Sequence, residues 1–244
     1  MVGLLNSLKS HMERRIKGVV FDLDGTLIHS SIDFRKMKQR MVDYLISKGA
    51  DPQGLSPRDL NVVIINKGRN LLRERGLTEE EIKRIIDHLQ EIMNEVEMES
   101  VSETRPVEGA EEALRSLKEM GYKIAVLTRG HHNYAVETLR RAGLLPYLDL
   151  ILGRGETPRP KPYPEALEHT AQLLNLKPEE LILVGDHPID STCAKNAKVR
   201  FIGVLTGAAT PKTWRETGCT EIIEGVWELP QYLKKRSEGR GITP

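Results

Sequence analysis

The chain has little cysteine, almost no net charge and no long apolar run, and each shortage closes a class of function. Cys193 and Cys219 are its two cysteines in 244 residues, far apart and without C-x-x-C spacing. They exclude a disulfide scaffold and a cysteine zinc site, and they fit a reducing compartment. The histidines show no metal-ligand spacing either, so His131, His132 and His187 read as helix-start or loop residues. Thirty-six Lys plus Arg against thirty-five Asp plus Glu leave +1, which offers no electrostatic footprint for nucleic acid or an anionic membrane. No apolar segment approaches the roughly 18 residues of a spanning helix. The short apolar patch Val2 to Leu8 has no basic stretch before it and no small-residue cleavage site after it. A cytoplasmic protein is therefore expected. There is no internal repeat and no low-complexity tract. What remains is 39% hydrophobic and 29% charged, an ordinary globular balance at a length that can bury a core unaided.

Residues 1–15 carry Leu4, Leu5, Leu8 and Met12 at helical spacing between basic residues. They read as an amphipathic extension docked on the protein, with a partner or membrane contact as the sharper alternative; Met12 is also a candidate start. Ile16 to Phe21, Tyr122 to Leu127 and Leu181 to Val184 are short runs rich in Val, Ile and Leu, each followed at once by polar residues. Such runs suit parallel strands covered on both faces. Weaker strand signals lie at Leu148 to Leu152, Phe201 to Leu205 and Glu221 to Ile223. Helical patterns alternate with them, at Glu108 to Met120, Tyr134 to Ala142 and Pro164 to Leu174. Strand–helix alternation predicts a doubly wound α/β sheet.

Between the first two strands the rhythm changes. From about residue 32 to 99 there are helical stripes only: one with Phe34, Met37, Met41 and Leu45, one from about 59 to 75, and one with Ile82, Ile85, Ile86, Leu89, Met93 and Val96. The last opens on Thr78-Glu79-Glu80-Glu81, a capping box. The predicted organisation is an α/β core over 16–29 and 106–230, an inserted all-helical cap over 30–105, and a polar tail over 231–244. Trp214 and Trp227 read as packing residues of the C-terminal region.

In an open parallel sheet, ligands sit beyond the carboxyl ends of the strands. The three strongest strands deliver Asp22-Leu23-Asp24-Gly25-Thr26, Thr128-Arg129-Gly130 and Gly185-Asp186-His187-Pro188-Ile189-Asp190 to that edge. Lys161 lies in the loop after the fourth. Crowded carboxylates repel one another, and a hard divalent cation with oxygen ligands relieves the repulsion; Mg²⁺ suits a few carboxylates, waters and a substrate phosphate. Asp22 is then free to attack phosphorus. Alternation along the chain puts Asp24 on the same side, as general acid and then base. Thr128 offers a hydroxyl and Lys161 a positive charge for phosphoryl oxygens, with Arg129 a further candidate. Gly25 permits a tight turn that leaves backbone N–H groups facing an anion. Taken singly, each of these residues has a plainer reading as a cap, turn or surface residue; their shared position at strand ends argues for a site.

Asp22-Leu23-Asp24-Gly25-Thr26-Leu27, Thr128, Lys161-Pro162 and Gly185-Asp186-x-x-x-Asp190 resemble, in order and spacing, the four motifs of the haloacid dehalogenase-like hydrolase superfamily. The resemblance spans roughly Lys17 to Leu205 and is nearest to the phosphoglycolate phosphatase-like branch. It implies a Rossmann-like parallel-sheet core with a helical cap, and phosphoryl transfer through an aspartyl-phosphate on Asp22. It further implies Mg²⁺ on the Asp22 carboxylate, the Asp24 carbonyl and Asp186, with Asp190 supporting the site through water or Lys161. Arg129-Gly130-His131 departs from the Asn and small residue that relatives often carry, which leaves substrate preference open. Arg35, Lys67 and Arg69 of the cap are candidate partners for a substrate carboxylate, or else a solvated helix face.

The expected function is a Mg²⁺-dependent phosphatase of a small phosphorylated metabolite, phosphoglycolate first, with no nucleic acid or membrane partner. The alternatives are a phosphosugar mutase of the same superfamily, a phospho-accepting signalling receiver, and an inactive interaction protein.

Overall fold

The computed structural model describes residues 16–237. The expected N-terminal extension, residues 1–15, lies outside the described residues.

The chain divides into two compact units, residues 31–103 and the remainder on either side. The larger unit is built on a six-stranded sheet. Its strands are β1 (Gly18–Phe21), β4 (Lys123–Leu127), β5 (Leu150–Leu152), β6 (Leu181–Gly185), β7 (Arg200–Val204) and β8 (Ile222–Ile223), in the order β5-β4-β1-β6-β7-β8. Every pairing in it is parallel. All six segments that the sequence marks as apolar runs form strands. The two central runs, Val19 to Phe21 and Leu181 to Val184, are fully buried, as expected where helices cover both faces. Val19 sits between Ile124 and Ile182, and Phe21 between Val126 and Val184, so β1, β4 and β6 end level with one another.

Two further short strands, β2 (Ile28–His29) and β3 (Arg105–Pro106), pair antiparallel. They hold together the points where the chain leaves the sheet unit and returns to it, a pairing too short to leave a sequence pattern.

In the smaller unit, α1 (Phe34–Ser47), α2 (Asn61–Glu74) and α3 (Glu79–Glu99) pack on one another. Asp33 caps α1 by accepting from the Lys36 N–H at 2.8 Å. The Thr78–Glu81 capping box opens α3, with both reciprocal hydrogen bonds present. Met37, Met41, Leu45, Ile64, Leu72, Ile82, Leu89 and Met93 form its apolar core. Gly68 lets α2 approach α1, since a Cβ there would stand 2.6 Å from a Leu45 methyl. Phe34 is the exception to its stripe. It is 51% exposed, because at the first position of α1 its side chain leans back past the end of the packed surface.

The sheet is flanked by α4 (Ala110–Glu119), α5 (His132–Arg141), α6 (Glu165–Leu173), α7 (Pro188–Ala197), α8 (Pro211–Thr217) and α9 (Leu229–Ser237). One correction concerns the C-terminal part. Residues 231–237 are not tail: they continue α9, which buries Leu233 despite its Lys234-Lys235-Arg236 end, and the rest of the expected polar tail lies outside the described residues. Trp214 is fully buried, with its indole N–H donating to the Val204 carbonyl at 3.2 Å, whereas Trp227 stays 42% exposed.

Candidate active site

The site begins where β1 runs out. The Asp22 N–H still donates to the Val184 carbonyl at 2.9 Å, which fixes Asp22 at the seam between β1 and β6. The chain then folds back on itself: the Leu23 carbonyl accepts from the N–H groups of Leu27 and Ile28 at 2.9 and 3.1 Å. Gly25, at φ +81°, makes this turn and lies so close to Asp186 that a Cβ would stand 2.5 Å from its Oδ2. Its own N–H donates to the Ile28 carbonyl at 2.7 Å and closes the turn.

Lys161 is the hub. It is 3% exposed, and its Nζ lies 2.5 Å from Asp22 Oδ1 and 2.7 Å from Asp190 Oδ1. Its loop, which contains a cis Lys161–Pro162 peptide, is tied to α7: Asn196 donates to the Pro162 carbonyl at 3.1 Å and the Cys193 thiol to the Tyr163 carbonyl at 3.2 Å. Burial alone pulls the Lys161 ammonium down, but the charges of Asp190 and Asp22 outweigh it and raise its pKa above the lysine range. Asp190 has a task for each oxygen. Oδ1 meets Lys161, while Oδ2 accepts from the His187 N–H at 3.2 Å, within the cap of α7. Burial pushes the Asp190 carboxyl up, against the pull of Lys161.

Asp186 is 4% exposed at the end of β6. Its Oδ1 accepts from the Thr26 hydroxyl at 3.3 Å and its Oδ2 from the Ala208 N–H at 2.7 Å. Burial, followed by the charge of Asp22, pushes it up to about 6 in spite of these donors. Carboxylate oxygens of Asp22, Asp186 and Asp190 all lie within 4.8 Å of one another. One lysine cannot balance three such groups, and the donor set is entirely oxygen. Those are the conditions a hard divalent cation satisfies.

Thr128, 5% exposed at the end of β4, accepts from the Gly130 N–H at 3.0 Å and so shapes its own loop. Asp24 is tied to a helix: its Oδ1 accepts from the Tyr134 hydroxyl at 2.6 Å. Arg129 is exposed, and its carbonyl accepts from Arg154 at 3.2 Å. The structure thus gathers Asp22, Lys161, Asp186 and Asp190 directly, sets Gly25 against them, and places Thr128 at the end of the neighbouring β4 and Asp24 two residues past Asp22. His131 and His187 cap α5 and α7 through Nδ1, in keeping with the helix-start reading. In the helical unit Arg35 and Arg69 are exposed, whereas Lys67 is paired with Asp59 at 2.8 Å.

Four contributors escaped the sequence reading. Thr26 lay inside a quoted motif without a role. Gly207 and Ala208 follow β7 at once, so the rule that strand ends carry the site, applied to one more strand, would have found them. Tyr134 had no signal beyond its place in a helical pattern.

The sequence model of the haloacid dehalogenase-like hydrolases matches residues 19–204, which includes every residue of this cluster. The chain belongs to that family. Among relatives, it is 27% identical over 236 residues to a phosphoglycolate phosphatase of Nitrosospira multiformis, covering 93% of this chain and 100% of that one. It is 32% identical over 199 residues to a phosphoglycolate phosphatase of Neisseria meningitidis, covering 79% and 81%. Solved structures share the fold. A hydrolase from Pseudomonas syringae superposes with a TM-score of 0.61 at 20% identity, over 90% of this chain and 98% of that one. A haloacid dehalogenase-like family hydrolase from Streptococcus pneumoniae does so with 0.58 at 17%, over 89% and 98%.

Proposed function

We propose that this haloacid dehalogenase-like hydrolase is a Mg²⁺-dependent phosphatase of small phosphate monoesters, with phosphoglycolate the first candidate substrate. The observation that carries the reading is the buried Lys161 ammonium between Asp22 and Asp190, beside Asp186, at the carboxyl end of the central strands. The names of the relatives support the choice of phosphoglycolate.

The Asp22 carboxylate is the nucleophile. As its oxygen bonds to phosphorus, the ester P–O bond breaks, and the departing oxygen takes a proton from Asp24. Water then attacks the aspartyl-phosphate and gives a proton back to Asp24, which releases phosphate and restores Asp22. Lys161 and the Thr128 hydroxyl hold phosphoryl oxygens, where fixed donors in a buried site are worth most. Arg129 is a candidate second contact at the exposed rim. Mg²⁺ would be held by the carboxylates of Asp22 and Asp186 and the Asp24 carbonyl, and would neutralise charge on the phosphoryl oxygens. Asp190 keeps Lys161 aimed.

The test is phosphate release with Mg²⁺ from a panel of phosphoglycolate, sugar phosphates, nucleoside monophosphates and pyrophosphate, with Asp22→Asn as control. Stoichiometric phosphate from a panel member, lost in the variant, is the expected result. Isomerisation of a sugar phosphate with almost no phosphate released would replace the phosphatase by a mutase. A persistent acyl-phosphate without turnover would replace it by a receiver.

A further inference from the structure

Asp24 is held by a residue that no motif of the sequence contains. Tyr134 lies in the first turn of α5, fully buried, and its hydroxyl donates to Asp24 Oδ1 at 2.6 Å. This is a short bond between residues 110 positions apart. The ring itself is fixed. Gly130 leaves room for it, since a Cβ at that position would stand 3.1 Å from Tyr134 Cδ1 and 3.4 Å from Thr128 Oγ1. The His131 cap starts the helix just before it, and Thr138 donates to the Tyr134 carbonyl at 2.8 Å. The hydroxyl is therefore aimed by a rigid helix start that also abuts the Thr128 loop.

We infer that Tyr134 is a positioning residue for the reaction, holding the Asp24 carboxylate by Oδ1 in the orientation from which it exchanges the proton with the ester oxygen and then with water. The inference rests on the reading of Asp24 as general acid and base. A carboxylate on a flexible side chain samples orientations that cannot reach the departing oxygen, and a fixed hydrogen bond removes them. The tyrosine transfers nothing itself: its O–H remains a donor to Oδ1 in both half-reactions.

The experiment compares wild type, Tyr134→Phe, Asp24→Asn and the double variant on two substrates. One is an alkyl phosphate, whose poor leaving group needs the acid. The other is p-nitrophenyl phosphate, whose leaving group does not. Phenylalanine keeps the ring and its packing, so melting temperature and far-UV circular dichroism check that the fold is intact. Tyr134→Phe is expected to lower kcat about 10- to 100-fold on the alkyl phosphate and only a few-fold on p-nitrophenyl phosphate, with KM little changed. In the Asp24→Asn background it should cost nothing further, because the two residues act as one unit. Equal losses on the two substrates, a further loss in the double variant, or wild-type kcat in Tyr134→Phe would each overturn the inference. An unaffected Asp24→Asn on the alkyl phosphate would instead overturn the acid–base reading beneath it. The single variants therefore tell the two failures apart.

Discussion

Replacing Lys161 by methionine takes the ammonium from among three carboxylates while keeping most of the side chain's volume. The structure sets the size of the effect. An exposed ion pair is worth about 0–1 kcal/mol, because water and mobile side chains dissipate it. Lys161 and Asp190 are 3% and 2% exposed and 2.7 Å apart, so water cannot take over the lost partner. Breaking a buried pair from one side costs about 3–5 kcal/mol. Spread over a unit of this size, that is a fall in melting temperature of roughly 6–20 °C, at about 2–4 °C per kcal/mol. The raised pKa of Lys161 fixes the pH window. Its contribution is complete below the ordinary lysine value of about 10.4 and fades only as pH climbs through the higher folded value, so it is whole at pH 7.5. The assay is denaturation followed by circular dichroism in EDTA, at pH 7.5 and at pH 5. The deficit should be largest at pH 7.5, where the carboxylates left behind are most fully charged, and smaller at pH 5. A variant within about 1 kcal/mol of wild type at pH 7.5 would refute the reasoning, since it would mean the pair behaves as a surface pair.

Three further outcomes follow from the same geometry. EDTA should stop phosphate release and Mg²⁺ should restore it; turnover indifferent to chelation would remove the cation from the site. Gly207→Ala puts a methyl 2.0 Å from Asp186 Oδ2, so Asp186 must move. The Mg²⁺ concentration for half-maximal activity should then rise about 10-fold or more, and an unchanged Mg²⁺ titration would separate Asp186 from cation binding. Asp186, raised to about 6, binds more protons folded than unfolded between about pH 4 and 6, so its contribution to metal-free stability falls as pH rises through that window. Asp186→Asn should therefore gain on wild type by up to about 3 kcal/mol between pH 4 and pH 7.5 in EDTA, and parallel stability curves would contradict this.

Much of the architecture was written locally. The six strands are short apolar runs, the central β1 and β6 buried on both faces, and that requirement leaves them few alternatives to a central parallel sheet. The helical unit is legible for a similar reason, since Met37, Met41 and Leu45, or Ile82, Ile86 and Leu89, fall on one helical face. Errors came where local pattern and tertiary contact disagree. Phe34 continues an apolar stripe past the end of the surface that covers it. Residues 231–237 look like solvated chain because their charges outnumber their apolar residues, yet burying Leu233 is enough to dock them as helix.

For the site, the sequence by itself determined which residues stand at strand ends. The turn from β1 at Asp22, from β4 at Thr128 and from β6 at Asp186 follows from where each apolar run stops, which is a local property. Only the tertiary structure decided how those groups share their hydrogen bonds. That Lys161 stands between Asp22 and Asp190, that Thr26 donates to Asp186, and that Tyr134 reaches Asp24 all depend on strand order and on separations of up to 160 residues. A motif records the residue types a reaction needs. Which oxygen meets which donor is settled by the packing that brings distant segments to one edge of the sheet.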